Sequence, residues 1–251
     1  MQVTGSKSTY SNLSIRVIAD GFSFLVTEGH SGDILLCQDY TASDPSQLYA
    51  MLYEKFRSEE LSAFRFSRVR VITNSDATCI PQQEFVTEQL NAVYSTVFPP
   101  FDEALYEVSY THLPQLDIVV AFTIPSALRQ TVQSAYPDAT FTNAFAVVLG
   151  RIATYCKRQN LPDDSLFAYV TPLQLFLYSI KGDELQFANS FPLSQPKDSL
   201  FYLLSVWKVL GFNARSQHCY LAGEEGSVEY LSQALAAYLQ HVDVMPVSLE
   251  G

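Results

Sequence analysis

Residues 13–40 read LSIRVIADGFSFLVTEGHSGDILLCQDY and predict three consecutive antiparallel strands. Apolar residues dominate three short runs, and each run is separated from the next by a turn. Asp20-Gly21 is a preferred hairpin dipeptide, and glycines flank the second turn at residues 29–32. The strands are therefore expected at residues 13–19, 22–27 and 33–40.

A helix and a fourth strand follow these three strands. Asp44 is a favoured N-cap residue type and Pro45 suits the first helical turn, so a helix is expected to begin there. Leu48 and Leu52 start an apolar stripe at helical spacing. Residues 69–73 then predict a short, β-branched, buried strand.

The second half of the chain repeats this order. Residues 166–191 read LFAYVTPLQLFLYSIKGDELQFANSF. They predict three more strands, at residues 166–171, 173–180 and 185–191. A helix that begins at Pro196 and is ended by Gly211 follows, and residues 218–222 predict a closing strand. The order of elements predicts an internal duplication, although the two halves share little residue identity.

Further elements are predicted between the halves and after the second one. Helices are expected at residues 81–97, 125–136 and 143–158, and a last helix is expected to run from a Ser227 cap to residue 239. Strands are expected at residues 106–110, 116–123, 139–142 and 242–247. The expected division is a flexible N-terminus at 1–12, a first half at 13–160 and a second half at 161–251. This pattern indicates an α/β protein with mixed five-stranded sheets flanked by helices.

Composition bears on the class of partner and on the compartment. The chain has 26 acidic and 15 basic residues, a net charge of -11, which disfavours nucleic acid and anionic membrane surfaces. No apolar run is long enough for a membrane span, and the N-terminus lacks an apolar signal-peptide core. Four scattered cysteines show no metal-ligand spacing, and Cys37 and Cys219 are expected to act as small core hydrophobes. The cytoplasm is the expected location.

The order of three strands, helix, strand, helix and strand resembles the ribonuclease-H-like unit, two of which face each other in the actin-like ATPase fold. The middle region is similar to pilus-assembly and secretion members of that superfamily, in the stretches Ile80-Pro81-Gln82-Gln83-Glu84-Phe85 and Val120-Ala121-Phe122-Thr123-Ile124-Pro125. The opening, Leu13-Ser14-Ile15-Arg16 followed by Asp20-Gly21-Phe22-Ser23-Phe24, resembles an uncharacterised bacterial domain-of-unknown-function family grouped with actin-like ATPases. This resemblance implies a fold and no activity.

The resemblance also implies where a nucleotide would bind. Working members hold phosphate at a turn with an Asp, any residue, a Gly and then Thr or Ser. Here Asp20 and Gly21 are adjacent, Phe22 follows, and Ser23 comes one residue later, so the pattern is incomplete. A simple hairpin turn explains the same residues.

The two other nucleotide-binding segments are more degenerate. The second turn, Thr171-Pro172-Leu173-Gln174, has neither Asp nor Gly, and Pro172 removes an amide donor. The glycine-rich segment that contains Gly223 and Gly226 also contains Glu224 and Glu225, which would repel phosphates.

A non-catalytic binding or scaffolding protein, with no cofactor and with a protein partner, is therefore the favoured function. A divergent ATP binder or ATPase that holds ATP and magnesium in the cleft between the halves is the alternative. Enzymatic activity is not favoured, because fold does not carry function without the site. Tyr94, Phe98, Phe101 and Tyr106 flank Pro99-Pro100 and are the candidate partner surface. A homodimer is left open.

Overall fold

A computed structural model describes residues 10–249 as an α/β protein with two five-stranded sheets and one three-stranded sheet. The first five-stranded sheet has the spatial order β3-β2-β1-β4-β8. Its strands are β1 (Ser11–Ile18), β2 (Gly21–Glu28), β3 (Ile34–Thr41), β4 (Phe66–Thr73) and β8 (Thr140–Asn143). The first three strands form an antiparallel meander, and β4 and β8 continue the sheet in parallel with β1.

The second five-stranded sheet has the same arrangement, in the order β11-β10-β9-β12-β13. Its strands are β9 (Ser165–Val170), β10 (Gln174–Lys181), β11 (Glu184–Pro192), β12 (His218–Gly223) and β13 (His241–Val244). Here too the first three strands are antiparallel and the last two continue in parallel. The predicted duplication is confirmed at the level of sheet order.

A three-stranded antiparallel sheet is inserted between β4 and β8. Its order is β5-β7-β6, from strands β5 (Ala77–Pro81), β6 (Tyr106–Leu113) and β7 (Ile118–Pro125). Strand β5 was not expected, and the helix expected at residues 81–97 is wrong in its first half. Phe85 and Val86 are extended, because Phe85 packs on Tyr110 with ring centroids 4.8 Å apart. Only two short 3₁₀ turns precede the α-helix there.

Seven α-helices are described within residues 10–249. They are α1 (Leu48–Phe56), α2 (Glu59–Ser62), α3 (Leu90–Val97), α4 (Ser126–Ala135), α5 (Ala144–Gln159), α6 (Pro196–Val209) and α7 (Glu225–Leu235). Helix α7 begins two residues before the expected Ser227 cap, with Glu224 as its N-cap residue. The amide of Glu224 donates to the carbonyl of Val170 at 2.9 Å, which fixes the start of the helix at the end of β9. None of these helices is long and apolar enough to cross a bilayer.

Two expected boundaries can be compared with the structure, the one after residue 12 and the one after residue 160. Strand β1 begins at Ser11, so Ser11 and Asn12 belong to the sheet and not to a flexible N-terminus. The rest of that expectation, residues 1–9, lies outside the described residues. Helix α5 belongs to the first half by sequence but packs on the second sheet, so the division of the chain at residue 160 stays a prediction.

The helices cover the two large sheets unequally. The first sheet packs one face on α1 and α4, whereas the second sheet has α6 and α7 on one face and α5 on the other. Asn143 caps α5 and is fully buried, and its Oδ1 accepts from the amide of Phe145 at 2.8 Å. The buried Tyr178 hydroxyl of the second sheet donates to the carbonyl of Phe145 at 2.9 Å. Helix α5 therefore joins the two halves.

Candidate functional site

A cleft of about 610 Å³ lies between the β1–β2 turn of the first half and the β9–β10 turn of the second. These two turns are the places at which the resemblance predicts phosphate binding. Asp20 lines the cleft from the first side, and Thr171, Pro172 and Leu173 line it from the second. The start of α7 contributes Glu224.

The first turn is built to hold strand β3. The carbonyl of Asp20 accepts from the amide of Ala42 at 2.8 Å. A Cβ atom on Gly21 would lie 2.4 Å from the carbonyl oxygen of Tyr40, so a side chain cannot fit there. Gly21 is thus required by the close approach of β3, whatever the cleft holds. Ser23 lies within β2 and does not line the cleft.

The second turn has few groups left for a ligand. The amide of Thr171 donates to the carbonyl of Gln174 at 2.9 Å, and the amide of Gln174 donates to the Thr171 hydroxyl at 3.1 Å. Pro172 has no amide hydrogen. The Leu173 amide is therefore the one backbone donor of this turn that remains for a ligand. The Leu173 side chain is 70% exposed. A phosphate group would find one free backbone amide in this turn.

The glycine-rich segment is likewise explained by packing. Gly223 has φ +124, and a Cβ atom there would lie 2.0 Å from the carbonyl oxygen of Val170. Neither Gly223 nor Gly226 lines the cleft. Gly223 borders a separate cavity of about 910 Å³ between α7 and β13. Glu224 and Glu225 are both exposed at the positive end of α7.

Most side chains that line the cleft are apolar or aromatic. The first half contributes Val17, Ile18, Ala19, Pro45, Leu48, Tyr49, Tyr106, Pro125 and Leu128. The polar residues that line the cleft are Arg16, Asp20, Thr73, Asn74, Ser75, Thr171 and Glu224. Such a lining suits an apolar ligand held in place by a few polar groups.

The aromatic loop predicted as a partner surface is largely a small core. Tyr94 is 3% exposed, and its hydroxyl donates to the carbonyl of Asp76 at 3.0 Å. Phe98 and Phe101 pack on the Tyr94 ring, at 4.7 and 5.6 Å between centroids. Tyr94 is therefore unavailable to a partner, because α3 must bury it against the inserted sheet. Tyr106 differs: it is 40% exposed and lines the cleft.

The sequence did not reveal which apolar side chains line the cleft together with Tyr106. Leu173 is the clearest of them, and its only signal was a large apolar residue beside a proline in a hairpin turn. Tyr49 follows Leu48 in the expected helix, but its position at the cleft depends on the packing of α1.

The positions of the His, Cys, Asp and Glu side chains do not support a metal site or a reactive thiol in the cleft. Among residues 10–249, no group of three or more His, Cys, Asp or Glu side chains is placed to hold a metal ion. Burial raises the pKa of the Cys79 and Cys156 thiols to about 12, so neither ionises at neutral pH. Cys37 is exposed, so its expected place in the core is wrong.

Solved structures similar to the chain share its fold. A Bacteroides thetaiotaomicron protein with an actin-like ATPase fold and unknown function is 26% identical, with a TM-score of 0.80 over 98% of this chain and 94% of its own. A chain of the PilM–PilN type IV pilus biogenesis complex is 14% identical, with a TM-score of 0.55 over 96% and 89%. The cytoplasmic domain of EpsL from Vibrio cholerae, an inner-membrane component of the type II secretion system, is 8% identical, with a TM-score of 0.50 over 94% and 86%. The last two show the fold alone.

The family comparison covers nearly the whole chain. A comparison with curated proteins finds no significant match. Residues 2–242 match the family described as a protein of unknown function, DUF3822. The predicted actin-like fold is confirmed, and the chain belongs to the DUF3822 family.

Proposed function

We propose that the protein is a non-catalytic binding module on an actin-like fold, and that its cleft receives a segment of a partner protein. The observation that carries the proposal is the second turn of the cleft, where Pro172 and the exposed Leu173 occupy the place of phosphate-binding groups. A large apolar side chain at the mouth of a cleft favours an apolar ligand over a phosphate.

ATP chemistry has little support in the same residues. The cleft offers Asp20 from the first turn, but the second turn has one donor amide, and Glu224 adds a negative charge. Nucleotide phosphates would face repulsion from that carboxylate where they need attraction. The proposal therefore contains no cofactor and no enzymatic step.

The aromatic side chains suggest how a segment would be held. Tyr49 and Tyr106 present large, stiff faces to the cleft, which is the kind of anchor that dominates protein interfaces. Arg16 and Asp20 also line the cleft and can pair with polar groups of the segment. A chain of the same fold forms part of the PilM–PilN complex, and this likeness supports a protein partner.

The proposal also includes the class of the partner and the location of the protein in the cell. A net charge of -11 disfavours nucleic acid, so a protein remains the best candidate, a second copy of this chain included. The free thiols of Cys79, Cys156 and Cys219 fit a reducing compartment, and we place the protein in the cytoplasm.

The test is selection of peptides from a random library on the wild-type protein, followed by measurement of their affinity for a Leu173→Glu variant. Leu173 is 70% exposed, so the substitution adds a charge at the cleft without disturbing the core. Peptides that use the cleft should bind this variant about tenfold or more weakly, a loss of about 1.4 kcal/mol. Val209→Glu is the matched control, since Val209 is 80% exposed on α6 and does not line the cleft.

Two results would contradict the proposal. One is that every selected peptide binds Leu173→Glu as tightly as the wild-type protein. The other is that Val209→Glu weakens the same peptides equally, which would place their site elsewhere.

A further inference from the structure

The first five-stranded sheet has a second face, which α1 and α4 do not cover and which joins the core around α5 only at Ile72. Side chains alternate along β1, so Leu13, Ile15 and Val17 pack on α1 and α4, whereas Ser14 and Arg16 point to the other side. On the second sheet the equivalent face is covered by α5. Strands β1, β2 and β3 of the first sheet are antiparallel, and antiparallel sheets can leave one face in contact with solvent.

Strand register determines which side chains share this open face. Across the β1–β4 pair, Ser14 lies beside Arg70 and Arg16 beside Ile72. Arg68 lies two residues before Arg70 in β4, so both side chains are on the same face. Three guanidinium groups therefore stand on adjacent strands of one face.

The charges of this face are poorly balanced within the protein. Within the five strands, Asp39 of β3 is the one carboxylate on the same side, and Ser23 separates it from Arg16. Among the described residues, no ion pair joins Arg16, Arg68 or Arg70 to a carboxylate. A cluster of cations with this surplus is unexpected on a chain whose net charge is -11.

Arg70 is the most constrained of the three. It donates to the Ser14 hydroxyl at 3.4 Å, and partial burial together with the charge of Arg68 lowers the pKa of its guanidinium. An anion beside this pair would offset both the lost hydration and the repulsion between the two arginines.

The space above the face is bounded on one side by α5. A groove of about 450 Å³ lies there, lined by Arg70, Tyr110, Thr140 and Thr142 of the sheets and by Arg151 of the helix. The Thr140 hydroxyl donates to the carbonyl of Val69, and Arg151 donates to the carbonyl of Ser248. Pairing with a carboxylate in this groove therefore depends on the guanidinium of Arg70.

We propose that the open face of the first sheet, around Arg68 and Arg70, is a docking surface for an acidic segment of a partner protein. The surface differs from the cleft, since Arg68 and Arg70 do not line the cleft. Carboxylates of the segment pair with the two guanidinium groups, and its backbone lies along the groove beside α5. The charge surplus of the face selects an acidic partner over the neutral, apolar segment proposed for the cleft.

The test uses a fluorescein-labelled polyglutamate peptide and fluorescence anisotropy at about 0.1 M salt, where repulsion from distant acidic residues is screened. We expect measurable binding to the wild-type protein and binding about tenfold or more weaker to Arg68→Gln/Arg70→Gln, because two charge-assisted contacts are lost. Arg158→Gln/Arg215→Gln is the matched control, since it removes the same charge from exposed positions elsewhere. Arg68→Glu alone, at an exposed position, replaces the double variant if that variant does not fold.

Several outcomes would overturn the proposal. They are no binding of polyglutamate, equal binding to the double variant and the wild-type protein, or an equal loss in the control. Displacement of the peptide by inorganic phosphate at the same concentration would indicate a small-anion site. Stronger binding to vesicles that contain anionic lipid would indicate a membrane surface. Self-association of the wild-type protein that Arg68→Glu abolishes would assign the face to a second copy of this chain.

Discussion

At the residue scale, Gly223 shows how a motif that suggests nucleotide binding can be explained by packing. Its φ of +124 is unfavourable for other residues, and the carbonyl of Val170 lies where a Cβ atom would be. A glycine-rich segment with this origin carries no information on phosphates. The same holds for Gly21 against the carbonyl of Tyr40.

Substitution of the two candidate glycines near α7 should therefore have opposite effects. Gly223→Ala is expected to lower the free energy of unfolding by about 2 to 4 kcal/mol, because it adds backbone strain and a clash. Gly226→Ala lies in the first turn of α7 with open space around it and should stabilise by up to about 1 kcal/mol. Urea unfolding of the two variants measures both values. Equal stability of the two would contradict the packing account.

Cysteine reactivity gives a second prediction at this scale. Burial raises the pKa of Cys79 and Cys156 to about 12, and Cys219 is fully buried, whereas Cys37 is exposed on β3. Because the thiolate is the reactive form, we expect one fast-reacting thiol in a disulfide-exchange assay at about pH 8. Cys37→Ser should remove that fast phase, and Cys219→Ser should leave it. A fast phase that survives Cys37→Ser would show that another thiol is accessible.

The aromatic residues mark the limit of prediction for single side chains. Tyr94 and Tyr106 both flank Pro99-Pro100 and look equivalent in sequence. One is 3% exposed and the other 40%, because α3 turns Tyr94 toward the inserted sheet. The sequence predicted a helix over residues 81–97, but which aromatic residue it buried depended on β5, which the sequence did not reveal.

At the element scale, α5 is held at its start by one buried side chain. Asn143 accepts from the amide of Phe145 and donates through Nδ2 to the carbonyl of Ser75 at 2.9 Å. It therefore joins the helix to the loop after β4. Helix α5 packs on the second sheet, so this cap also affects the contact between the halves.

Asn143→Ala should lower the free energy of unfolding by about 2 to 3 kcal/mol, because a cap is lost and the Ser75 carbonyl is left unsatisfied. Asn91→Ala is the control: Asn91 is exposed within α3, and its change should stay within about 0.5 kcal/mol. Equilibrium urea unfolding followed by circular dichroism measures both. If Asn143→Ala lowers the free energy of unfolding no more than Asn91→Ala does, the cap does not stabilise the protein.

Elements with local signals were predictable, and those that depend on distant contacts were not. The turns at Asp20-Gly21 and Gly182-Asp183 located both meanders, because turn geometry selects those dipeptides. Strand β5 is short and ends at Pro81, and only its pairing with β7 makes it a strand. Tertiary contact likewise placed the N-cap of α7 at Glu224 and not at the expected Ser227.

At the scale of the whole molecule, the repeated order of elements was enough to predict the duplicated sheets. The two meanders and the strands after them form sheets of identical order. The character of the cleft was harder to predict, because its lining combines Ile18, Tyr106 and Leu173 from segments far apart in sequence. Only the packing of the halves brings these apolar side chains together.

The measurement that tests the central claim most directly is the thermal unfolding midpoint with and without millimolar Mg-ATP, for the wild-type protein and Asp20→Ala. A nucleotide present at 100 times its dissociation constant would add about 2.7 kcal/mol and raise the midpoint by several degrees. Because Pro172, Leu173 and Glu224 replace the groups that would hold phosphate, we predict no shift in either protein. A clear shift in the wild-type protein that Asp20→Ala abolishes would contradict the account and identify the cleft as a nucleotide site.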